Sequence, residues 1–375
     1  MNTKIHSGFL SIILFLLTNN PVDGQQMSYL FESGTNGYNT FRIPALVTSA
    51  KGTLLAFAEG RKKGSSDTGD IDLVVKRSDD NGKTWSDLIV IWDDGENVCG
   101  NPAPVVDRNT GKIFLLSTWN LGSDHESEII KGTSSDTRRI FVMESSDDGR
   151  SWSVPAEITG AVKKSNWTWY ATGPCHGIQM QNGRHKGRLV IPCDHIESVT
   201  NKYFSHIIFS DDKGKTWNLG GSTPQDQVNE SAVAEISKGK LMLNMRNYDR
   251  SQKSRKISVS DDAGASWSDI YSDPALVEPI CQASLLSFHS GRKKSFSLLF
   301  LNPADTAVRR NMTLRMSYNE GKTWPVSRIL HEGPSAYSDM AFLSNCNVGC
   351  LFEAGVKSPY EGIIYMEVRL KELNK

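Results

Sequence analysis

The chain has 375 residues, 38% of them hydrophobic, with 42 basic and 42 acidic side chains and a formal net charge of zero. That length can bury a large core, and no basic stripe of the kind that binds nucleic acid is present. Neutrality overall still permits a local cluster of arginines for an anionic ligand.

The chain opens on a targeting signature. Lys4 supplies a positive start, residues 9–17 form an apolar run, and Thr18, Asn19 and Asn20 follow. The run is too short to span a bilayer comfortably. Val22 and Gly24 stand at suitable −3 and −1 positions, so residues 1–24 read as a signal peptide cut before Gln25, with a retained anchor as the alternative. The expected product is exported, to the periplasm or the medium. No later stretch approaches a transmembrane length. Residues 25–375 contain no linker or low-complexity segment and read as a single domain.

Short β-rich runs then dominate: 53–58, 71–76, 113–117, 140–144, 188–192, 206–209, 240–245, 256–259, 295–301, 313–316 and 363–370. Gly, Asp, Asn and Pro separate them, as expected for antiparallel strands joined by tight turns. After several of these runs the same string recurs, Ser-x-Asp-x-Gly-x-Thr/Ser-Trp. It occupies residues 78–85, 145–152, 210–217 and 260–267, and a copy at 317–324 carries Asn319 in place of the Asp. The closing tryptophans are 67, 65, 50 and 57 residues apart. Ser and Asp side chains can bond nearby amides in a turn. Gly permits positive φ, and the Trp can pack back over its hairpin. One sheet per interval predicts an all-β fold, a six-bladed β-propeller. A β-helix, the alternative, usually repeats at shorter intervals.

Six cysteines, at 99, 175, 193, 281, 346 and 350, are too sparse to define an exported fold. Cys346 and Cys350 could bridge a hairpin, and their spacing is no zinc signature without a second ligand pair. The histidines form no metal-binding spacing, and no cofactor is expected. Asn166, Asn229 and Asn311 head glycosylation sequons.

Between the repeated strings lie features that do not repeat. Phe41-Arg42-Ile43-Pro44 comes first, then Glu59-Gly60-Arg61 with Asp67 six residues past the arginine. Asn229-Glu230-Ser231, Asn244-Met245-Arg246-Asn247, Arg309-Arg310-Asn311 and Ser335-Ala336-Tyr337-Ser338-Asp339 follow. With the boxes, this ordered series resembles the sialidase (neuraminidase) family, bacterial exo-α-sialidases in particular, from Phe41 to about Leu370.

The resemblance implies a propeller with a pocket on its axis and sialylated glycans as substrates. Sialic acid carries a carboxylate on its anomeric carbon, and planar guanidinium groups hold such a group by bidentate hydrogen bonds. The resemblance makes Arg42, Arg246 and Arg309 that triad, with Arg310 the neighbouring alternative. Glu353 is expected to orient Arg42, with Glu361 as its rival. A carboxylate nucleophile would meet charge repulsion from the substrate, and sialidases use tyrosine instead. Tyr337 is accordingly the expected nucleophile, Glu230 its base and Asp67 the general acid, with Asp70 and Asp72 as rivals to Asp67. Arg61 is expected near the sugar's ring-4 hydroxyl. Residues 166–179 resemble the family stretch beside the pocket, which assigns Trp167 and Tyr170 to its lining and leaves His176 a structural role. The implied reaction is hydrolysis with retention. A trans-sialidase, an intramolecular trans-sialidase and a non-catalytic carbohydrate-binding propeller are the alternatives. Oligomeric state is not legible.

Overall fold

Continuous apolar runs become strands covered on both faces, because neighbouring sheets pack against each side. Leu54–Arg61 and Phe296–Pro303 are buried along their whole length. These and the other strands belong to a computed structural model that describes Met1, residues 27–289 and residues 296–373. The expected leader lies outside the described residues except for Met1.

The strands pair as successive antiparallel meanders. The first runs Thr40–Thr48, Leu54–Arg61, Ile71–Ser78 and Ile89–Trp92. The second runs Val98–Val106, Ile113–Asn120, Arg139–Ser145 and Ala156–Glu157. The next uses Trp167–Thr172, Leu189–Glu197, Tyr203–Ser210 and Asn218–Ser222. It is followed by Val228–Ile236, Lys240–Asn247, Ser254–Ser260 and Tyr271–Val277. The fifth runs Ser284–His289, Phe296–Pro303, Arg310–Ser317 and the first half of Val326–Phe342, a strand of 17 residues. The second half of that strand opens the last meander, with Val348–Ala354, Gly362–Val368 and Tyr29–Glu32 from the start of the chain.

The apolar core is distributed between these sheets. One cluster packs Ala45, Phe57 and Val75 of the first meander on Val106 and Leu115 of the second. Another joins Val105 and Leu116 to Ile191 and Ile208 of the third. Clusters of the same kind lie at the following contacts, and Leu46, Leu54 and Val74 of the first meander meet Leu351 and Ile363 of the last. The ring is therefore closed, and the fold is an all-β propeller.

Each repeated string sits in the hairpin between the third and fourth strands of a meander. In the first copy Ser78 Oγ donates to Asp80 (2.8 Å) and accepts from the Gly82 amide (2.7 Å). Asp80 in turn accepts from the Thr84 amide (2.9 Å) and hydroxyl (2.7 Å). The Asn319 copy keeps this frame by reversing one bond, so that its Nδ2 donates to Thr323 Oγ1 at 2.9 Å. The tryptophans depart from expectation. They reach the preceding meander: Trp152 lies edge-on to Phe57, Trp217 to Phe114, and Trp267 Nε1 donates to the Gly221 carbonyl at 2.9 Å. Trp85 does the same across the ring closure, with its ring centroid 5.2 Å from that of Tyr365.

All six cysteines are free, and Cys350 faces the core while Cys346 is exposed, so the 346–350 bridge does not form. Among the described residues no helix is long and apolar enough to cross a membrane.

Candidate active site

The first strand of most meanders carries a register shift, and the residues at the shift face the axis. Shifts fall between Arg42 and Ala45, Gly100 and Ala103, Trp167 and Tyr170, Val228 and Ser231, and Ser335 and Ser338. Bulges of this kind bend a strand and re-aim side chains. Ile43 and Asn101 take positive φ, 57° and 54°, an unusual conformation for a β-branched residue in particular. Arg42, Asn101, Trp169, Glu230 and Tyr337 are brought in this way to one cavity of about 340 Å³.

Tyr337 is almost fully buried. Its hydroxyl donates to Glu230 at 2.5 Å and accepts from Arg246 Nη1 at 3.0 Å. Arg246 also pairs with the other Glu230 oxygen at 2.7 Å. Burial, and then the charge of Glu230, push the Tyr337 hydroxyl well above its ordinary range.

Glu353 is fully buried beneath the arginines. It accepts from Arg42 Nε at 2.9 Å, from the Ile43 amide at 2.9 Å and from the Tyr337 amide at 3.1 Å. Burial opposes the charge on Arg42, and Glu353 outweighs it, so the guanidinium is held more firmly charged than usual. Glu361, its rival in the sequence, instead caps the amides of Val356, Lys357 and Ser358.

Arg309 faces the cavity and donates to Tyr360 Oη and to the Ile280 carbonyl, each at 3.1 Å. Arg310 points outward to Asp305 at 2.8 Å. Of the adjacent pair, Arg309 lines the cavity and Arg310 does not.

Asp67 lies on the loop after Leu54–Arg61, with more than half of its side chain exposed. Arg61 contacts it at 2.7 Å and Arg42 at 3.9 Å. Partial burial raises its pKa, and these two cations outweigh that and hold it below the ordinary carboxylate range. Arg61 is itself gripped by Glu59 at 2.9 Å through Nε. Asp70 and Asp72 belong to a different cluster. Lys62 reaches them at 2.9 and 3.2 Å, and Tyr38 donates to Asp72 at 2.6 Å. With Asp93 they form the one acidic trio among the described residues whose ligand atoms lie close enough to hold a cation, and the Lys62 ammonium already sits against all three carboxylates.

Trp167 and Tyr170 require a correction. Both are buried in the cluster between the second and third meanders, where Trp167 stacks on His195 at 3.5 Å. The register shift between them turns Trp169 to the cavity instead, and Arg138 lies 4.1 Å above its ring centroid. His176 pairs with Asp339 at 2.7 Å outside this cavity.

Sequence reading missed part of the wall: Asn101, Glu126, Arg138, Asp194 and Tyr248. Arg138 is buried and donates to Asn101 and, at 2.9 Å, to Thr118. Asp194 has no exposed surface, and neither carboxyl oxygen finds a hydrogen-bond partner among the described residues. Burial first, then Glu230, push it well above the ordinary carboxylate range. The available signal was an acid directly after the apolar run 189–193, in a strand that ends on His195, Ile196 and Glu197. Arg138 offered none.

The assembled arrangement can hold an anion on three guanidinium groups and present an oxygen nucleophile beside a base. Residues 52–350 match the BNR repeat-like domain family. The chain is 31% identical to a sialidase of Bacteroides fragilis (strain YCH46) over 97% of its own length and 68% of that protein's. It is equally 31% identical to a sialidase of Micromonospora viridifaciens over 88% of its length, spanning 52% of that longer protein. In three dimensions it resembles the Hadza microbial sialidase Hz136, with a TM-score of 0.83 and 32% identity over 92% of this chain and 69% of the other.

Proposed function

The chain belongs to the sialidase family, and from that premise we propose that it is a retaining exo-α-sialidase that removes terminal sialic acids from glycoproteins, glycolipids and oligosaccharides. The observation that carries this reading is the Tyr337 hydroxyl lying 2.5 Å from Glu230 in the pocket that Arg42, Arg246 and Arg309 line.

The substrate carboxylate docks on the three arginines, and the anomeric carbon then lies at Tyr337. As Tyr337 Oη bonds to that carbon, its proton passes to Glu230. The glycosidic C–O bond breaks, and Asp67 gives its proton to the departing oxygen. Asp67 next takes a proton from water, the water oxygen attacks the anomeric carbon, and the bond to Tyr337 breaks. Glu230 returns its proton to the tyrosine. Two displacements at one carbon give net retention. Asp67 must be protonated to begin, yet Arg61 and then Arg42 favour its ionised form. The substrate carboxylate adds negative charge beside Arg42, which offsets that hold.

The meanders also support the expected count of six blades, and the leader signature supports export. NMR of the first product from α2-3-sialyllactose tests the function. Free sialic acid of initially α configuration is expected. A 2,7-anhydro product, or transfer to added lactose, would replace hydrolysis with one of the transfer reactions. Edman sequencing of exported protein should begin at Gln25.

A further inference from the structure

Asp67 stands between two cavities. On one side is the pocket that holds Tyr337 and the arginines. On the other is an open cleft built from two segments: Ser66, Asp67 and Thr68 on one loop, and His125, Glu126, Ser127 and Ile130 at and in the short helix Glu126–Lys131. Asp67 and Glu126 line both spaces, whereas none of Arg42, Arg246, Arg309 or Tyr337 lines the cleft.

This division has a direct chemical meaning, which rests on the sialidase reading. The general acid must touch the glycosidic oxygen. The sialic acid lies on the arginine side of that oxygen, so whatever it is attached to lies across Asp67, over the cleft. The lining specifies what fits there. Ser66, Thr68 and Ser127 offer hydroxyls, and Ser66 and Thr68 already bond each other at 2.8 Å. Ile130 offers one apolar contact. Hydroxyls around a small apolar patch suit a sugar ring with one apolar face. The fixed charge is acidic, and His125 is the one lining group that can take a positive charge. Asp67 and Glu126 are both acids, and no Lys or Arg lines the cleft. The nearby Lys62 and Lys63 turn to Asp70 and Glu96.

We propose that this cleft is the subsite for the leaving group, that it takes a neutral hexose, and that Glu126 excludes an anionic one such as a second sialic acid. Linkage preference follows from charge. A sialic acid joined α2-3 or α2-6 to a neutral sugar is accepted, and one joined α2-8 to another sialic acid is repelled at Glu126.

The test compares the purified chain and two variants on α2-3-sialyllactose, α2-8-linked disialic acid and methyl α-sialoside, whose leaving group is too small to fill the cleft. Ser127→Tyr, an exposed change that fills the cleft, should lower kcat/KM for sialyllactose by about fivefold or more and leave methyl α-sialoside within about twofold. Glu126→Gln should raise the disialic acid to sialyllactose ratio of kcat/KM by about fivefold, the size expected for one like charge removed a few ångströms away in a water-rich site. Equal effects of Ser127→Tyr on sialyllactose and methyl α-sialoside would overturn the subsite, and an unchanged ratio in Glu126→Gln would overturn its charge selection. Because both residues are exposed, neither substitution threatens the fold. Failure of the wild type to cleave any of the three sialosides would overturn the sialidase reading itself and this inference with it.

Discussion

Arg42 and Tyr337 are tied to one carboxylate. Glu353 takes the Arg42 guanidinium at 2.9 Å with one oxygen and the Tyr337 amide at 3.1 Å with the other. The group that would anchor the substrate's charge and the one that would attack its carbon therefore share a fixed reference. Glu353→Gln breaks that reference and leaves a buried Arg42 without its counter-charge. It should cost about 3–5 kcal/mol in unfolding free energy, measured by urea titration. In the fraction that folds, kcat/KM on an aryl sialoside should fall about a hundredfold through misplacement.

Tyr337→Phe removes only the hydroxyl. Turnover should fall by about a thousandfold or more, while the Kd of a sialic acid analogue measured by calorimetry stays within about threefold. Near-native turnover would remove Tyr337 from the nucleophile's role.

The setting of Asp67 makes its protonation depend on occupancy. Held low by Arg61 and Arg42, it loses its proton at low pH in the free enzyme, and the acid form declines as pH rises through that value. Substrate charge beside Arg42 moves that value up. The basic limb of kcat, which reports the complex, should accordingly lie at higher pH than that of kcat/KM, which reports the free enzyme. Coincident limbs would exclude the coupling. Asp67→Asn should cost more on sialyllactose than on an aryl sialoside, whose leaving group needs less protonation.

Asp194 gives a prediction about stability. Its folded-state pKa is raised, so above the unfolded value of about 3.9 the native state holds a proton that the unfolded state has released. Its contribution to stability therefore falls as pH rises from there toward the raised value. Asp194→Asn should raise unfolding free energy by about 1–3 kcal/mol near neutrality, with the gain shrinking toward about pH 4. Denaturant titrations at both pH values measure it, and destabilisation at both would contradict it.

The box tryptophans should act as ties between sheets. Trp217, buried against Phe114 of the preceding meander, should cost about 3–5 kcal/mol on change to Ala. Asn319→Asp, which restores the common box residue, should leave thermal unfolding nearly unchanged.

What could be read in advance follows from how local each signal is. The box closes its hydrogen bonds within eight residues, so its string alone marks a hairpin. Strands such as Leu54–Arg61 and Phe296–Pro303 announce themselves as apolar runs. The innermost strands were harder. Thr40–Thr48 carries Arg42 and Pro44, Val98–Val106 carries Asn101 and Pro102, and each is interrupted by a bulge. Their polar residues serve the axis and hide the strand. The same interruption defeated the choice of Trp167 and Tyr170, because alternation cannot be counted through a register shift. Counting back from the last box favours Arg309 over Arg310, and the strand is regular from Thr313 to Met316, although it shifts register between Arg310 and Met312 and again between Met312 and Thr313. Asp194 and Arg138 matter because of what surrounds them, which no local pattern records.

No box stands between Gly362–Val368 and Tyr29–Glu32, and the reason is that no chain joins them. These two strands are partners from opposite ends of the polypeptide, paired at Phe31 with Ile363 and at Glu32 with Gly362. The missing string marks the seam at which a cyclic arrangement is cut to make a linear one. Across that seam Trp85 still reaches Tyr365, whose hydroxyl donates to the Asn81 carbonyl at 2.9 Å, so the first box performs on the last sheet the office each later box performs on its predecessor. The protein's order is circular although its chain is not, and where the polypeptide begins is a choice of opening rather than a property of the architecture.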